Sequence, residues 1–143
     1  MSDTNLDIEK LKNLQFKIMK DVAASALIPL MRIGDQLGLF QKLSELGPIN
    51  SKKFAEEARV DERYLREWLY ALSATDFVSY DGAKEEFSLS PEQKAVFADE
   101  EGPANMMGAY EVLAGQVYAE EKVIDAFKTG EGVAYENACP LCF

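Results

Sequence analysis

Two closely spaced helix-start signals constrain the fold of this chain more than any other feature of its sequence. Asn50 and Asp61 each have a side-chain oxygen that can accept a hydrogen bond from the free backbone N–H groups of a following helical turn. The residues before them, Ile49 and Val60, are aliphatic and can pack against an apolar residue one turn inside the helix. Only "ARVD" separates the first helix from the second, so the pattern predicts a helix-turn-helix.

The second of these helices has one strongly apolar face. Leu65, Trp68, Leu69 and Leu72 recur at helical spacing, which indicates burial along one side. Two short segments, "FVSY" and "EFSLS", follow it around the turn-forming pair "DG" and are typical of antiparallel strands. We therefore predict a mainly α fold, a winged helix-turn-helix with a two-stranded wing and additional flanking helices.

The first flanking helix is predicted near the N-terminus. Leu11, Leu14, Ile18 and Val22 recur at spacings of three and four with charged residues between them, so they form a narrow apolar stripe. Such a stripe either packs on its own domain or forms a seam with a second copy of the chain. Both interpretations stay open at this point, and a homodimer seam is the prediction carried forward.

The helix after this one also has recognisable ends. Pro29 suits its first turn, and Gly38 suits the position just beyond its last turn. Leu30, Ile33 and Leu37 share one side of it, which predicts an apolar face. A short helix then leads into the helix-turn-helix.

Three further helices are predicted after the wing. Ser90 and Pro91 favour a short one through Ala98, and Gly102 and Pro103 repeat that start signal for a longer one. The last, "AEEKVIDAFKTG", begins with acids and ends in lysine and glycine, as the helix dipole favours.

These signals divide the chain into four parts. Residues 1–26 are the N-terminal amphipathic helix, 27–90 the winged helix, 91–130 the helices after the wing and 131–143 a linker. The N-terminal twenty residues intersperse charges and match neither a signal peptide nor a spanning helix, so we expect a cytoplasmic protein without a membrane partner.

The absence of histidine removes many kinds of catalytic and metal site. Ser-His-Asp triads, Cys-His pairs and His-ligated zinc are all excluded. Cys139 and Cys142 form a CxxC pair, which can be a redox motif or half of a zinc site. No second pair completes a metal shell, so we expect no metal and interpret the pair as part of the tail.

The charge distribution argues against nucleic acid as a partner. The chain has a formal net charge of −10, and most of this net negative charge lies after the wing. Around the wing tip, Asp81, Lys84, Glu85 and Glu86 sum to a negative charge, whereas a wing that follows phosphates needs lysine and arginine. These residues predict that nucleic acid is not a partner, although Lys52, Lys53 and Arg59 leave room for a modest basic face.

Several of these pieces together resemble a known family. "LGLF" ending a helix, "FAEEARVDERYLREWLYAL", "FSLSPE" after the wing and "DAFKTGEGVAY" occur in that order over roughly residues 24–135. The region resembles the N-terminal winged-helix domain of bacterial S-adenosylmethionine-dependent methyltransferases of the small-molecule O-methyltransferase type. The resemblance implies a homodimer whose winged-helix domain covers part of the pocket for a small-molecule acceptor substrate.

In that family the cofactor S-adenosylmethionine and catalysis belong to a C-terminal Rossmann-like domain. Such a domain needs a buried strand that runs into a glycine-rich turn. Here Gly130 and Gly132 follow a predicted helix instead, and we interpret them as a cap and linker. The parent protein is thus expected to use S-adenosylmethionine, whereas this chain lacks a catalytic domain and is expected to bind no cofactor and to have no catalytic residue.

The substrate-facing prediction falls on the helix after "EGP". Met106, Met107 and Tyr110 are apolar and adaptable enough to line a variable pocket, although core packing would explain them as well. Two other functions remain as alternatives: a stand-alone winged-helix transcriptional regulator, and a stand-alone ligand-binding dimer.

Overall fold

The computed structural model describes residues 6–134. In that range the chain forms eight helices and one two-stranded sheet. They are α1 (Ile8–Ser25), α2 (Leu27–Gln36), α3 (Leu39–Leu46), α4 (Ser51–Ala58), α5 (Glu62–Ser73), β1 (Ser79–Asp81), β2 (Glu86–Ser88), α6 (Pro91–Phe97), α7 (Met107–Tyr118) and α8 (Glu120–Thr129). The predicted fold class, a mainly α winged helix-turn-helix with flanking helices, is confirmed.

The helix-turn-helix is α4 and α5, and side chains cap both helices as the sequence predicts. The Oδ1 atom of Asn50 accepts a hydrogen bond from the N–H of Lys53 at 3.0 Å. The Oδ1 atom of Asp61 accepts one from the N–H of Tyr64 at 3.2 Å. Between the two helices Arg59 adopts the left-handed conformation, with φ of 56°, and reverses the chain.

The predicted apolar face of α5 lies at the centre of the core. Leu65, Trp68, Leu69 and Leu72 are all buried. The indole Nε1–H of Trp68 donates to the carbonyl of Leu30 at 2.8 Å and so connects α5 to α2. The ring of Phe40 in α3 packs against Trp68 at a centroid distance of 5.2 Å. The core therefore joins α2, α3 and α5 around one aromatic pair.

The wing is shorter than predicted and begins later. β1 pairs with β2 in antiparallel register, with Tyr80 opposite Phe87. The segment predicted as the start of β1 instead closes the turn after α5, because the N–H groups of Phe77 and Val78 donate to the carbonyl of Leu72 at 2.9 and 3.4 Å. The Leu72 carbonyl lies in the last turn of α5 and has no partner within the helix. It therefore accepts hydrogen bonds from N–H groups that a longer β1 would have used.

An additional backbone contact anchors the wing to the helix-turn-helix. Ile49 pairs with Phe87 through two hydrogen bonds, 3.0 Å from the Ile49 N–H to the Phe87 carbonyl and 2.9 Å in the other direction. From the sequence, Ile49 is predicted only to pack against an apolar residue one turn inside α4. The bridge fixes the base of the wing to the start of the motif.

The buried face of α2 differs from the predicted one. Ile33 and Leu37 are exposed and Leu30 is only partly buried, whereas Met31 and Gly34 are fully covered. The reason is steric, because the aromatic rings of α3 and α5 approach the backbone of α2 at Gly34 more closely than any side chain would permit.

The predicted start of the long helix after the wing is also wrong. Gly102 and Pro103 do not begin it, since α7 starts at Met107. Gly102 lies in a pair of turns, with its N–H bonded to the carbonyl of Asp99 and its own carbonyl bonded to the N–H of Asn105, both at 3.1 Å. The Asn105 side chain then accepts from the Met107 N–H at 2.9 Å and starts the helix.

Candidate functional site

The helix α1 exposes nearly all of its apolar residues. Leu14, Ile18 and Val22 of the predicted seam are all more than half exposed, and Leu11 is only partly buried. Phe16 and Met19 are exposed as well, and no residue of α1 is buried. Exposed apolar side chains of this size on one helix form the kind of patch that marks an interaction surface.

The start of α1 is well defined in spite of this exposure. The Oδ1 atom of Asp7 accepts from the N–H groups of Glu9 and Lys10, each at 3.1 Å. The hydrogen bond from the Lys10 backbone is the main cause of a lowered Asp7 pKa. The helix is interrupted after Ser25 because Pro29 has no N–H to donate to the Ser25 carbonyl.

The other apolar surface is a groove between α7 and α8. The groove, of about 520 Å³, is lined mainly by aliphatic and aromatic side chains. They are Ile28, Leu113, Val117, Val123, Ile124 and Phe127, joined by Gln116 and Glu120. Phe127 is 87% exposed, and no residue of α8 is buried. We call this surface the α7–α8 groove. It was not predicted, although Val123, Ile124 and Phe127 are spaced to lie on one side of α8.

The three predicted substrate-facing residues do not share one environment. Met107 is 5% exposed and packs in the core, whereas Met106 is 54% exposed. Tyr110 is partly buried against the core, and this burial raises the pKa of its phenol. The Met106 N–H donates to the carbonyl of Val96 at 3.0 Å, which fixes the backbone where the exposed methionine begins.

A bidentate ion pair between Arg32 and Glu111 holds α7 against α2. The Nε and Nη2 atoms of Arg32 lie 2.9 and 3.1 Å from the two carboxylate oxygens of Glu111. This geometry fixes orientation as well as distance. Nearby, partial burial and the negative charges of Glu111 and Glu100 raise the pKa of Asp35. The pair positions one wall of the α7–α8 groove.

Two positive charges of the helix-turn-helix and the wing are paired with carboxylates. Arg66 donates from Nη1 to both carboxylate oxygens of Glu62, at 3.1 and 2.9 Å. The same carboxylate accepts from the Ser51 hydroxyl at 2.7 Å. At the wing, Lys84 pairs with Asp81 at 3.4 Å. These contacts occupy two of the cations that a phosphate-binding face would use.

Neither a metal-binding cluster nor a membrane-spanning helix occurs in residues 6–134. In that range no group of three or more histidine, cysteine or acidic side chains could hold a metal ion. The predicted tail cysteines Cys139 and Cys142 lie outside the described residues. No helix in the described part is long and apolar enough to cross a bilayer.

Comparison with solved structures finds the same fold in larger proteins. A protein from Nostoc punctiforme PCC 73102 assigned as an O-methyltransferase is 20% identical, with a TM-score of 0.59 over 86% of this chain and 36% of that chain. PigF with SAH is 14% identical, with a TM-score of 0.51 over 89% of this chain and 38% of that chain. This chain thus spans little more than a third of either protein. At these identities the likeness establishes the fold and not the activity.

The family assignment comes from the sequence of the winged helix itself. No curated protein matches the sequence. The family model described as the Rv2258c-like winged HTH domain matches residues 23–98, which is more than half of the chain. That range runs from the end of α1 through α6 and includes the helix-turn-helix, the wing and nearly all of the core. The chain therefore belongs to the Rv2258c-like winged helix-turn-helix domain family.

Proposed function

We propose that this chain is the N-terminal dimerisation and substrate-lid domain of an S-adenosylmethionine-dependent methyltransferase that acts on a small molecule. The observation that carries the proposal is the exposed apolar face of α1, in a fold shared with a protein assigned as an O-methyltransferase and with PigF with SAH. A helix with no buried residue contributes little to the stability of its own domain, so a second copy is the natural partner for residues 11, 14, 18 and 22.

The described residues do not fit the cofactor themselves. A nucleotide-type cofactor site of the Rossmann kind needs parallel strands and a glycine-rich turn before a helix. Within residues 6–134 the sheet is a single antiparallel wing, and Gly130 is the left-handed residue that ends α8. We therefore assign no cofactor contact and no catalytic role to these residues, and place both in a further domain of the parent protein.

The lid part of the proposal falls on the start of α7. The exposed side chain of Met106 and the partly buried ring of Tyr110 can contact an acceptor molecule, while Met107 supports them from the core. A flexible thioether beside an aromatic ring suits an apolar acceptor of variable shape. Alanine at Met106 in the parent enzyme should raise the KM for the acceptor and leave the unfolding temperature unchanged.

A stand-alone transcriptional regulator is less well supported. The Glu62–Arg66 and Asp81–Lys84 pairs reduce the positive charge available on the motif and the wing. A micromolar, salt-sensitive shift of duplex DNA by the pure chain would favour the regulator over the methyltransferase domain.

The dimer is tested by light scattering after size-exclusion chromatography. The wild-type chain should give about twice its 15.9 kDa mass. Leu14→Glu should give a monomer, because a charge would replace a central residue of the stripe. Leu37→Glu is the matched control, since Leu37 is 56% exposed and Leu14 57%, and it should stay dimeric. A wild-type monomer would contradict the dimerisation role.

The methyltransferase part has a separate test. The native protein in its source cell should have a mass roughly two to three times that of this chain, enough for a further domain of typical size. That longer protein should bind SAH in calorimetry, and the 143-residue chain should give no heat of binding. SAH binding by this chain alone would refute our placement of the cofactor, and a native mass of 15.9 kDa would refute the methyltransferase assignment.

A further inference from the structure

We infer that α1 of one chain lies in the α7–α8 groove of a second copy, so that two chains exchange their first helices reciprocally. The inference rests on the proposed dimer and specifies its interface, because it names the surface that each α1 contacts. Simple pairing of α1 with α1 would leave the apolar groove uncovered, whereas the exchange covers both surfaces at once.

The two surfaces match in polarity. The stripe of α1 presents Leu14, Ile18 and Val22 to solvent, and the groove presents Leu113, Val117 and Ile124, all at least two-fifths exposed. Neither α1 nor α8 contains a buried residue, so both surfaces are open to solvent in the described part of the chain. Two exposed apolar surfaces on one chain, repeated by symmetry, form a closed dimer if each covers the other.

The helices that carry the two surfaces are opposite in net charge. The helix α1 contains four lysines and two acids, while α7 and α8 together contain four acids and two lysines. On α1, Lys10 and Lys17 lie four residues before and three residues after Leu14, so both flank the apolar stripe along one edge. On the groove, Glu120 is one of the lining residues. The complementary charges favour the groove over a second α1, which would bring like charges together.

The connection between α1 and α2 is compatible with the exchange. α1 ends at Ser25, and Ile28, three residues later, already lines the groove. Each α1 therefore leaves its own body at the edge of its own groove. A two-fold axis beside this edge brings the groove of the second copy within reach of the 18-residue helix, which is about 27 Å long.

The test reverses the charges of one surface at a time. The first variant combines Lys10→Glu and Lys17→Glu, which flank the stripe, and the second combines Glu120→Lys and Glu121→Lys, at and beside the groove. Each variant alone should have a dimer dissociation constant raised by at least about tenfold in sedimentation velocity. An equimolar mixture should recover a dimer, since both exchanged contacts in the mixed pair again join opposite charges. Circular dichroism of each variant reports whether its helices are retained.

A control variant with Lys52→Glu and Lys53→Glu makes a matched change in charge away from both surfaces and should dimerise like wild type. A groove variant that dimerises as tightly as wild type would overturn the exchange and leave the dimer intact. A mixture that stays monomeric with wild-type helicity would overturn it as well. A wild-type chain that is itself monomeric would refute the proposed dimer, so the two failures are distinguishable.

Discussion

The winged helix and the outer helices of this chain use apolar residues in different ways. In α3 to α6 with the wing, the large apolar side chains are mostly buried, among them Phe40, Phe54 and Phe87. In α1 and α8 no residue is buried, although both helices contain phenylalanine and branched aliphatic residues. The first region buries its large apolar side chains within the domain, and the second leaves such side chains exposed to solvent.

This difference separates folding from association. Burial in the winged helix supplies the free energy that holds the domain together. The exposed residues of α1 and α8 contribute to stability only when another surface covers them, so their contribution depends on protein concentration. Substitutions in the two regions should therefore differ in size and in whether dilution changes them.

The largest effect is expected from Phe40→Ala. It removes a fully buried ring that packs on Trp68, and should lower the free energy of unfolding by about 3–5 kcal/mol. Leu14→Ala should change it by less than about 0.5 kcal/mol at protein concentrations where the chain is monomeric. Urea unfolding followed by the fluorescence of the single tryptophan, Trp68, measures both. An equal, concentration-independent loss in the two variants would contradict the separation of the regions.

Glycine-to-alanine substitutions extend the comparison to α2 and α7, where the same change should have opposite signs. A Cβ on Gly34 would lie 2.5 Å from Cζ2 of Trp68 and 2.6 Å from Cε2 of Phe40, so Gly34→Ala should destabilise by about 1–3 kcal/mol. A Cβ on Gly108, in α7, meets nothing within 4 Å. Gly108→Ala should therefore stabilise by roughly 0.5 kcal/mol, since alanine favours the helix. Thermal unfolding of both variants checks the signs, and a destabilised Gly108→Ala would show that this side of α7 is covered.

A smaller effect is expected for the cap of α6. The Ser90 hydroxyl accepts from the N–H of Gln93 at 3.2 Å, and the Gln93 side chain accepts from the N–H of Ser90 at 2.7 Å. Breaking this capping box with Ser90→Ala should cost about 1 kcal/mol of unfolding free energy. Ser25→Ala, at the exposed end of α1, is the control and should stay within about 0.5 kcal/mol of wild type. Equal losses would mean that α1 is as tightly coupled to the core as α6.

Local chemistry made much of the winged helix predictable from sequence. Asn50, Asp61 and Ser90 cap the helices they were predicted to cap, because the capping hydrogen bonds reach only two or three residues along the chain. The buried face of α5 follows from spacing alone. Contacts between distant segments were not predictable: the Ile49–Phe87 bridge and the close approach at Gly34 depend on how the elements pack.

The candidate site was less predictable for the same reason. The stripe of α1 was visible because it is periodic, but the helix α7 is apolar around most of its circumference, so periodicity could not identify its buried side. Met107 faces the core while Val117 faces the groove. Whether Met106 and Tyr110 contact an acceptor and whether the stripe is a seam remain predictions.

Acid should loosen the start of α1 before it affects the core, and this is the smallest effect we expect. The Asp7 pKa is lowered, so its carboxylate stabilises the helix above the unfolded pKa of about 3.9 and loses this contribution as the pH falls through the lower folded value. The Asn50 cap of α4 does not titrate. Helicity at 222 nm should fall slightly below about pH 4 while Trp68 fluorescence stays constant. Asp7→Asn keeps a good capping side chain and should remove this part of the pH dependence, and an unchanged acid response in that variant would mean that another carboxylate is responsible.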